Sequence, residues 1–293
     1  MSFSSWLTPI VLGMRTQLGV DNASGAGIAA ADARARSLDG MLKRWAPLAG
    51  RMGCHLNLLA ALCGTDKYGA HDYTPVYHEL MARSRSKPVR LLEIGVGGYQ
   101  GGLGGESLLM WAAYFPKGKL FGIDIHDKTA LSRGRVRVLQ CSQTDRAGLI
   151  AIGEAHGPFD FIIDDGSHAS PHQIESFRIL WPFIKDRGVY IIEDVQTSYW
   201  PSFAGGTFGS EDYARSCVSY FKGLADSVNL PEFLEPAQPG SPLDPTIGSI
   251  AFHHNLIVLT KDVSARTSNF PLGDPRVRAA LMRRGDPAPP GPG

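Results

Sequence analysis

Between residues 89 and 192, five apolar runs of five or six residues alternate with stretches of helical spacing, and this alternation constrains the fold more than any other feature. Runs of that length, bounded by glycines and acidic residues, are too short for helices and read as buried strands. They lie at 89–94, 119–124, 136–140, 159–163 and 188–192, with helices expected at 106–115, 146–156 and 171–183. Strand–helix alternation of this kind builds a mainly parallel sheet with helices on both faces. Residues 249–259 then read as two strands around a tight turn. The expected fold is therefore α/β, Rossmann-like, with a seven-stranded sheet closed by a C-terminal β-hairpin.

Three zones follow. Residues 1–60 carry an Ala-rich run and the helical spacing of Leu38, Met41, Leu42 and Trp45, and read as a helical arm, a lid or an oligomerisation element. Residues 61–263 form the α/β domain. Residues 264–293 show no periodicity and end in a Pro/Gly-rich stretch, expected to be irregular and disordered at its end. A net charge of +1 gives no electrostatic reason to expect nucleic acid or an anionic membrane as partner. No run of 18 uncharged apolar residues is present, so no membrane span is expected. The four cysteines form no CxxC pair, which fits a reducing cytoplasm better than a disulfide framework or a zinc site.

In open α/β sheets, ligands sit beyond the carboxyl ends of the strands. The first strand stops in Glu93, Gly95, Gly97 and Tyr99, where glycines let backbone approach a ligand closely. The second stops in Asp124, placed to accept hydrogen bonds from ribose hydroxyls. Ser142 and Gln143, just past the third, offer a hydroxyl and an amide to an adenine edge. The full dinucleotide pattern would need a glycine where Gln100 stands, and Glu93 would repel a pyrophosphate. The same Glu93 could pair with the ammonium of an amino-acid moiety. S-adenosylmethionine is thus the expected cofactor, ahead of NAD.

The fourth strand ends in Asp164-Asp165-Gly166-Ser167-His168 and the fifth in Glu193-Asp194. Neighbouring strands lie roughly 4.8 Å apart, so several carboxylates converge where mutual repulsion calls for a cation. Oxygen ligands without cysteine favour Mg²⁺, with Mn²⁺ as a substitute, and the expected ligands are Asp165, Glu193 and Asp194. Helix N-capping is the competing explanation for one such cluster, less so for two on adjacent strands. His168, on the loop that carries Asp165, is the expected general base, because methyl transfer to an alcohol requires loss of the hydroxyl proton. His71, His126, His156 and His172 are read as solvated.

Five motifs carry a family resemblance: Asp66-Lys67 with His71 and Tyr73; residues 92–99; residues 104–108; residues 163–168; and residues 192–201. Together, over roughly residues 60–262, the chain resembles the macrolide deoxysugar O-methyltransferases of the mycinamicin type. That resemblance implies a class I methyltransferase fold, S-adenosylmethionine as donor and a required Mg²⁺. It also implies metal ligands at Asp165, Glu193 and Asp194, a base at His168, and donor contacts at residues 93–99, Ser107, Asp124, Ser142, Gln143 and Thr65. Macrolide-type members carry a larger N-terminal assembly domain, whereas about sixty residues precede the motifs here, and Val195 replaces a common threonine.

The expected function is S-adenosylmethionine- and Mg²⁺-dependent O-methylation of a sugar hydroxyl. The acceptor would be a glycosylated natural product or an oligosaccharide, the short N-terminus leaning toward the latter, and a homo-oligomer is among the expected partners. Residues 197–220, rich in Tyr, Trp, Phe and Gly, are the expected acceptor wall. An NAD-dependent oxidoreductase would need the dinucleotide loop that Gln100 breaks. A metal-dependent hydrolase would share the carboxylates but have no use for the Glu93/Asp124 pocket. A non-catalytic binding module would follow if Asp165 or His168 faced away from it.

Overall fold

The computed structural model describes residues 3–17, 33–98, 103–264 and 266–283. Its centre is a seven-stranded sheet in the order β3-β2-β1-β4-β5-β7-β6. The strands are β1 (Arg90–Ile94), β2 (Lys119–Asp124), β3 (Val136–Gln140), β4 (Phe159–Asp164), β5 (Ile184–Glu193), β6 (Ile247–His253) and β7 (Leu256–Lys261). The first five pair in parallel, and β7 pairs antiparallel to both β5 and β6. Strand order reverses between β1 and β4, which opens a ligand crevice at their carboxyl ends.

Successive strand residues point to opposite faces, so each strand feeds two cores. Leu91, Leu120, Ile163 and Ile191 pack on one side. Leu92, Ile123, Ile162 and Ile192 pack on the other. Helices α1 (Phe3–Gln17), α2 (Ala33–Arg51), α3 (Leu56–Cys63), α4 (Thr74–Met81) and α5 (Glu106–Tyr114) supply the first face. The second is covered by α6 (Arg146–His156), α7 (Ser170–Leu180) and α9 (Cys217–Gly223), against which the short α8 (Glu211–Ala214) packs, with α7 and α9 contributing Phe177, Leu180 and Phe221 to its core.

Val11 of α1 and Leu42 and Ala46 of α2 join the same core as Trp111 of α5, so the N-terminal helices pack directly on the sheet domain. Arg15 ties them together, donating to Asp39 at 2.7 Å and to the carbonyls of Ala61 and Leu62. The face of α2 differs from the expected one. Met41 and Trp45 are about half exposed, because Leu42, Ala46 and the close-packed Gly50 define the inward stripe. The irregular stretch expected after Ser264 is also corrected, since α10 (Pro275–Met282) forms there. Asp274 caps it through the amide of Arg276, and Pro275 pre-sets its first turn. The expected disorder of the final residues lies outside the described residues.

Candidate functional site

At the switch point, the loops after β1 and β4 touch through their backbones. The Asp165 amide donates to the Ile94 carbonyl at 2.9 Å. A Cβ on Gly95 would lie 2.1 Å from the Asp165 carbonyl oxygen, and Gly95 also holds φ +81°, so only glycine fits. Beside this contact opens a cavity of about 710 Å³ lined by Gly95, Gly97, Asp124, Ser142, Gln143 and Asp165, among others. Five of the expected donor residues are therefore brought together. Asp124 holds its own loop, accepting from the amides of Val96 at 3.3 Å and His126 at 2.9 Å, with Lys128 3.6 Å away.

Three other expected donor residues do not reach the wall. Glu93 is fully buried, accepting from Ser107 Oγ at 2.8 Å and Trp111 Nε1 at 3.3 Å, which commits Ser107 as well. Thr65 is buried with its hydroxyl 3.5 Å from Asp66. Tyr99 lies outside the described residues. Gln143 lines the cavity, but its amide is already spent: Nε2 donates to Asp164 at 2.7 and 2.8 Å, and Oε1 accepts from the Ser167 amide at 2.9 Å. It holds the β4 loop.

Asp164 anchors that loop from within. It is fully buried and also accepts from Ser176 Oγ at 2.5 Å and the Tyr190 hydroxyl at 3.3 Å. Burial pushes its carboxyl up to about 6, against the opposing hydrogen bonds from Ser176, Gly166 and Tyr190 and the nearby His168. The folded protein thus binds this proton more tightly than the unfolded chain does. Stability from this group is complete below the ordinary value of 3.8 and is lost as pH rises through about 6. The melting-temperature advantage of the parent over Asp164→Asn should shrink between about pH 4 and about pH 6; an advantage growing with pH there would contradict this.

The expected cation ligands separate. Atoms of Asp165, His168 and Asp194 lie within 4.8 Å of one another, with His168 Nε2 3.6 Å from Asp194 Oδ2. Glu193 is not in that group. Its Oε1 accepts from Lys67 Nζ at 2.7 Å and from the Tyr77 hydroxyl. Burial raises its carboxyl well above the usual range, and repulsion from Asp165 adds to this, with Lys67 and Tyr77 opposing. Lys67, only 1% exposed, also donates to Asp165 Oδ2 at 2.7 Å and sits 3.4 Å from Glu93 Oε1. Burial alone would lower its ammonium, but Asp165, Glu193 and Glu93 overcome this and hold it well above its ordinary value.

Asp194 is set by two distant segments. Tyr73 donates to its Oδ1 at 2.6 Å and to the carbonyl of Asn255, at the turn of the β6–β7 hairpin, at 3.3 Å. His71 Nδ1 lies 3.5 Å from the same carboxylate and the ring stacks on Tyr73, so His71 is a site residue and not merely solvated. His172, also read as solvated, faces the Ser167 hydroxyl at 2.7 Å and lines the cavity, while His156 stacks on Phe121. Burial raises the Asp194 carboxyl, but the Tyr73 hydrogen bond, together with the neighbouring His168 and His71, outweighs it and leaves it below its ordinary value. Both His168 and Asp194 adopt left-handed backbone, at φ 56° and 53°.

A divalent cation fits Asp165 and Asp194. Mg²⁺ takes one or two carboxylates and fills its remaining positions with water and substrate oxygens. An imidazole nitrogen suits softer metals, which leaves His168 free to handle a proton. His168 Nδ1 is buried with no hydrogen-bond partner among the described residues, so the Nε2 end is the one facing the two carboxylates. Lys67, Tyr73, Tyr77 and His71 carried no role in the sequence reading. The sequence signal for Lys67, His71 and Tyr73 was the Asp66-Lys67…His71…Tyr73 motif, and Tyr77 follows four residues beyond it.

No protein-family model matches the chain. The 8-demethyl-8-(2-methoxy-alpha-L-rhamnosyl)-tetracenomycin-C 3'-O-methyltransferase of Streptomyces olivaceus is 43% identical over 210 residues, covering 70% of this chain and 53% of its own. Mycinamicin VI 2''-O-methyltransferase of Micromonospora griseorubida is 38% identical over 211 residues, with 70% and 52% covered. The chain therefore spans about half the length of these relatives. Among solved structures, the MycE methyltransferase in complex with Mg, SAH and mycinamycin VI matches at TM-score 0.65 and 36% identity, over 71% of this chain and 54% of that one. A second crystal form, with Mg and SAH, matches at TM-score 0.67 and 33% identity, over 80% and 60%. Over these roughly 210 shared residues, the chain belongs to the family of the mycinamicin- and tetracenomycin-type sugar O-methyltransferases, and its sheet is the class I methyltransferase fold.

Proposed function

We propose that the chain catalyses S-adenosylmethionine-dependent O-methylation of a sugar hydroxyl on a glycosylated natural product, assisted by a divalent cation. One observation carries the reading. Asp165 belongs both to the wall of the 710 Å³ cavity and to the Asp165–His168–Asp194 cluster, so a donor and a cation-bound acceptor would meet there. The relatives' acceptors, rhamnosyl tetracenomycin and mycinamicin VI, indicate the substrate class. A metal-dependent hydrolase leaves this cavity without a purpose.

In this mechanism Asp124 holds the donor at the end of β2. The cation, when bound, supplies Lewis-acid stabilisation to an acceptor hydroxyl. His168 accepts the hydroxyl proton at Nε2, and Asp194 Oδ2, 3.6 Å away, steadies the resulting imidazolium. The acceptor wall continues into an aromatic surface. Thr197 Oγ1 donates to the His168 carbonyl at 2.8 Å, and from the same turn Tyr199 stacks on Tyr213 at 5.6 Å, with Trp200 and Phe208 exposed alongside. Such rings suit the apolar face of a sugar or its aglycone.

Calorimetry with S-adenosylhomocysteine, with and without Mg²⁺, tests donor and cation together. Asp124→Ala should weaken the binding strongly, because each charge-assisted hydrogen bond lost to a ribose hydroxyl costs on the order of 1.5–3 kcal/mol. Equal affinity in parent and variant would remove the end of β2 from the donor site.

A further inference from the structure

We propose that Lys67 is a positioning residue for the cation site, fixing which oxygen of Asp165 faces the cation. The inference rests on the reading of Asp165 as a cation ligand. An ammonium has three hydrogens to donate, and Lys67 Nζ lies within 3.4 Å of three carboxylates: Glu93 at 3.4 Å, Asp165 at 2.7 Å and Glu193 at 2.7 Å. These stand at or just beyond the ends of three adjacent strands, β1, β4 and β5.

The three partners are not equivalent. Glu93 and Glu193 are buried and have further donors of their own, Ser107 and Trp111 for the first and Tyr77 for the second. Asp165, by contrast, has a side chain 25% exposed and lines the cavity. Lys67 grips its Oδ2. A carboxylate oxygen of Asp165 lies within 4.8 Å of Asp194 and His168, and the oxygen that Lys67 leaves ungripped, Oδ1, is the one assigned to the cation. Without that grip, rotation about the Asp165 side chain would exchange the two oxygens or swing both away.

Lys67 is itself held in place. The amides of Tyr73 and Thr74 both donate to its carbonyl, at 2.9 and 3.2 Å, closing the segment that also delivers Tyr73 and Tyr77. One short stretch of chain thus reaches all three carboxylates assigned to the cation from the sequence: Asp165 and Glu193 through Lys67, Glu193 again through Tyr77, and Asp194 through Tyr73.

The test is Mn²⁺ binding by the full chain, read by electron paramagnetic resonance, for the parent, Lys67→Met, Lys67→Arg, Glu93→Gln and the double variant Lys67→Met/Glu93→Gln. Loss of a partner that orients a ligand typically weakens metal binding roughly 10–100-fold, and this is expected for Lys67→Met. Lys67→Arg should recover most of the affinity, and Glu93→Gln alone should bind as the parent does. The double variant removes one positive and one negative charge, so it keeps the parent's buried charge and decides the question even if Lys67→Met fails to fold. Weak Mn²⁺ binding by the double variant supports positioning. Recovery of parental affinity would show that Lys67 only balances charge, and would overturn the proposal. Binding by Lys67→Met as tight as the parent's would overturn it too. A parent that binds no Mn²⁺ would instead overturn the cation reading itself, and this proposal with it.

Discussion

Replacing His168 with alanine should lower turnover by roughly 10²–10⁴-fold while leaving donor affinity nearly unchanged, because a base acts in the transition state. The geometry gives this expectation its direction. His168 Nε2 stands 3.6 Å from Asp194, and the whole residue lies beside the oxygen donors where an acceptor hydroxyl would arrive. The parent rate should rise with pH through one inflection that the variant lacks. A role as metal ligand makes a different forecast, since a missing ligand weakens Mg²⁺ binding and excess Mg²⁺ would then restore the rate. Rescue by metal would remove His168 as the base. A flat metal response with the inflection gone would support it.

Chelation should abolish turnover, and added Mg²⁺ should restore it. The sequence alone suggested that Asp165, Glu193 and Asp194 lack any charge partner, and the structure corrects that premise, because Lys67 already serves Glu193 and one oxygen of Asp165. The expectation stands on what remains. Lys67 brings a single positive charge to a site where Glu93, Asp165, Glu193 and Asp194 gather, and it does not reach Asp194. Activity that persisted in excess chelator would mean that Lys67, His71 and Tyr73 suffice to neutralise the cluster.

The strand ends were legible because their signal is local. Each apolar run stops abruptly in glycine or carboxylate, and a parallel sheet must bring those stops to one edge. Lys67 was not legible, although it stands inside a recognised motif. Its partners are 26 to 126 residues away along the chain, and lysine is among the residues least often fully buried. The donor residues divide along the same line. Asp124 and Gly97 reach the cavity because backbone carries them there, whereas Glu93 is drawn away from it and the amide of Gln143, though on the wall, is taken up by partners that no sequence spacing reveals. The tail helix was missed for a smaller reason, since its start rests on a single Asp-Pro pair.

The left-handed backbone at His168 and Asp194 has a consequence for how this protein trades robustness against chemistry. Residues with a side chain resist that conformation by roughly 1–2 kcal/mol each, and glycine does not. Glycine at either position should therefore melt later than alanine there, while being no better at the reaction. Glycine in place of the native Asp194 would relieve that strain but would also give up the hydrogen bond from Tyr73, so relief and anchorage oppose each other there. Under the proposed function, the two strained side chains are kept for what they do at the site and not for stability.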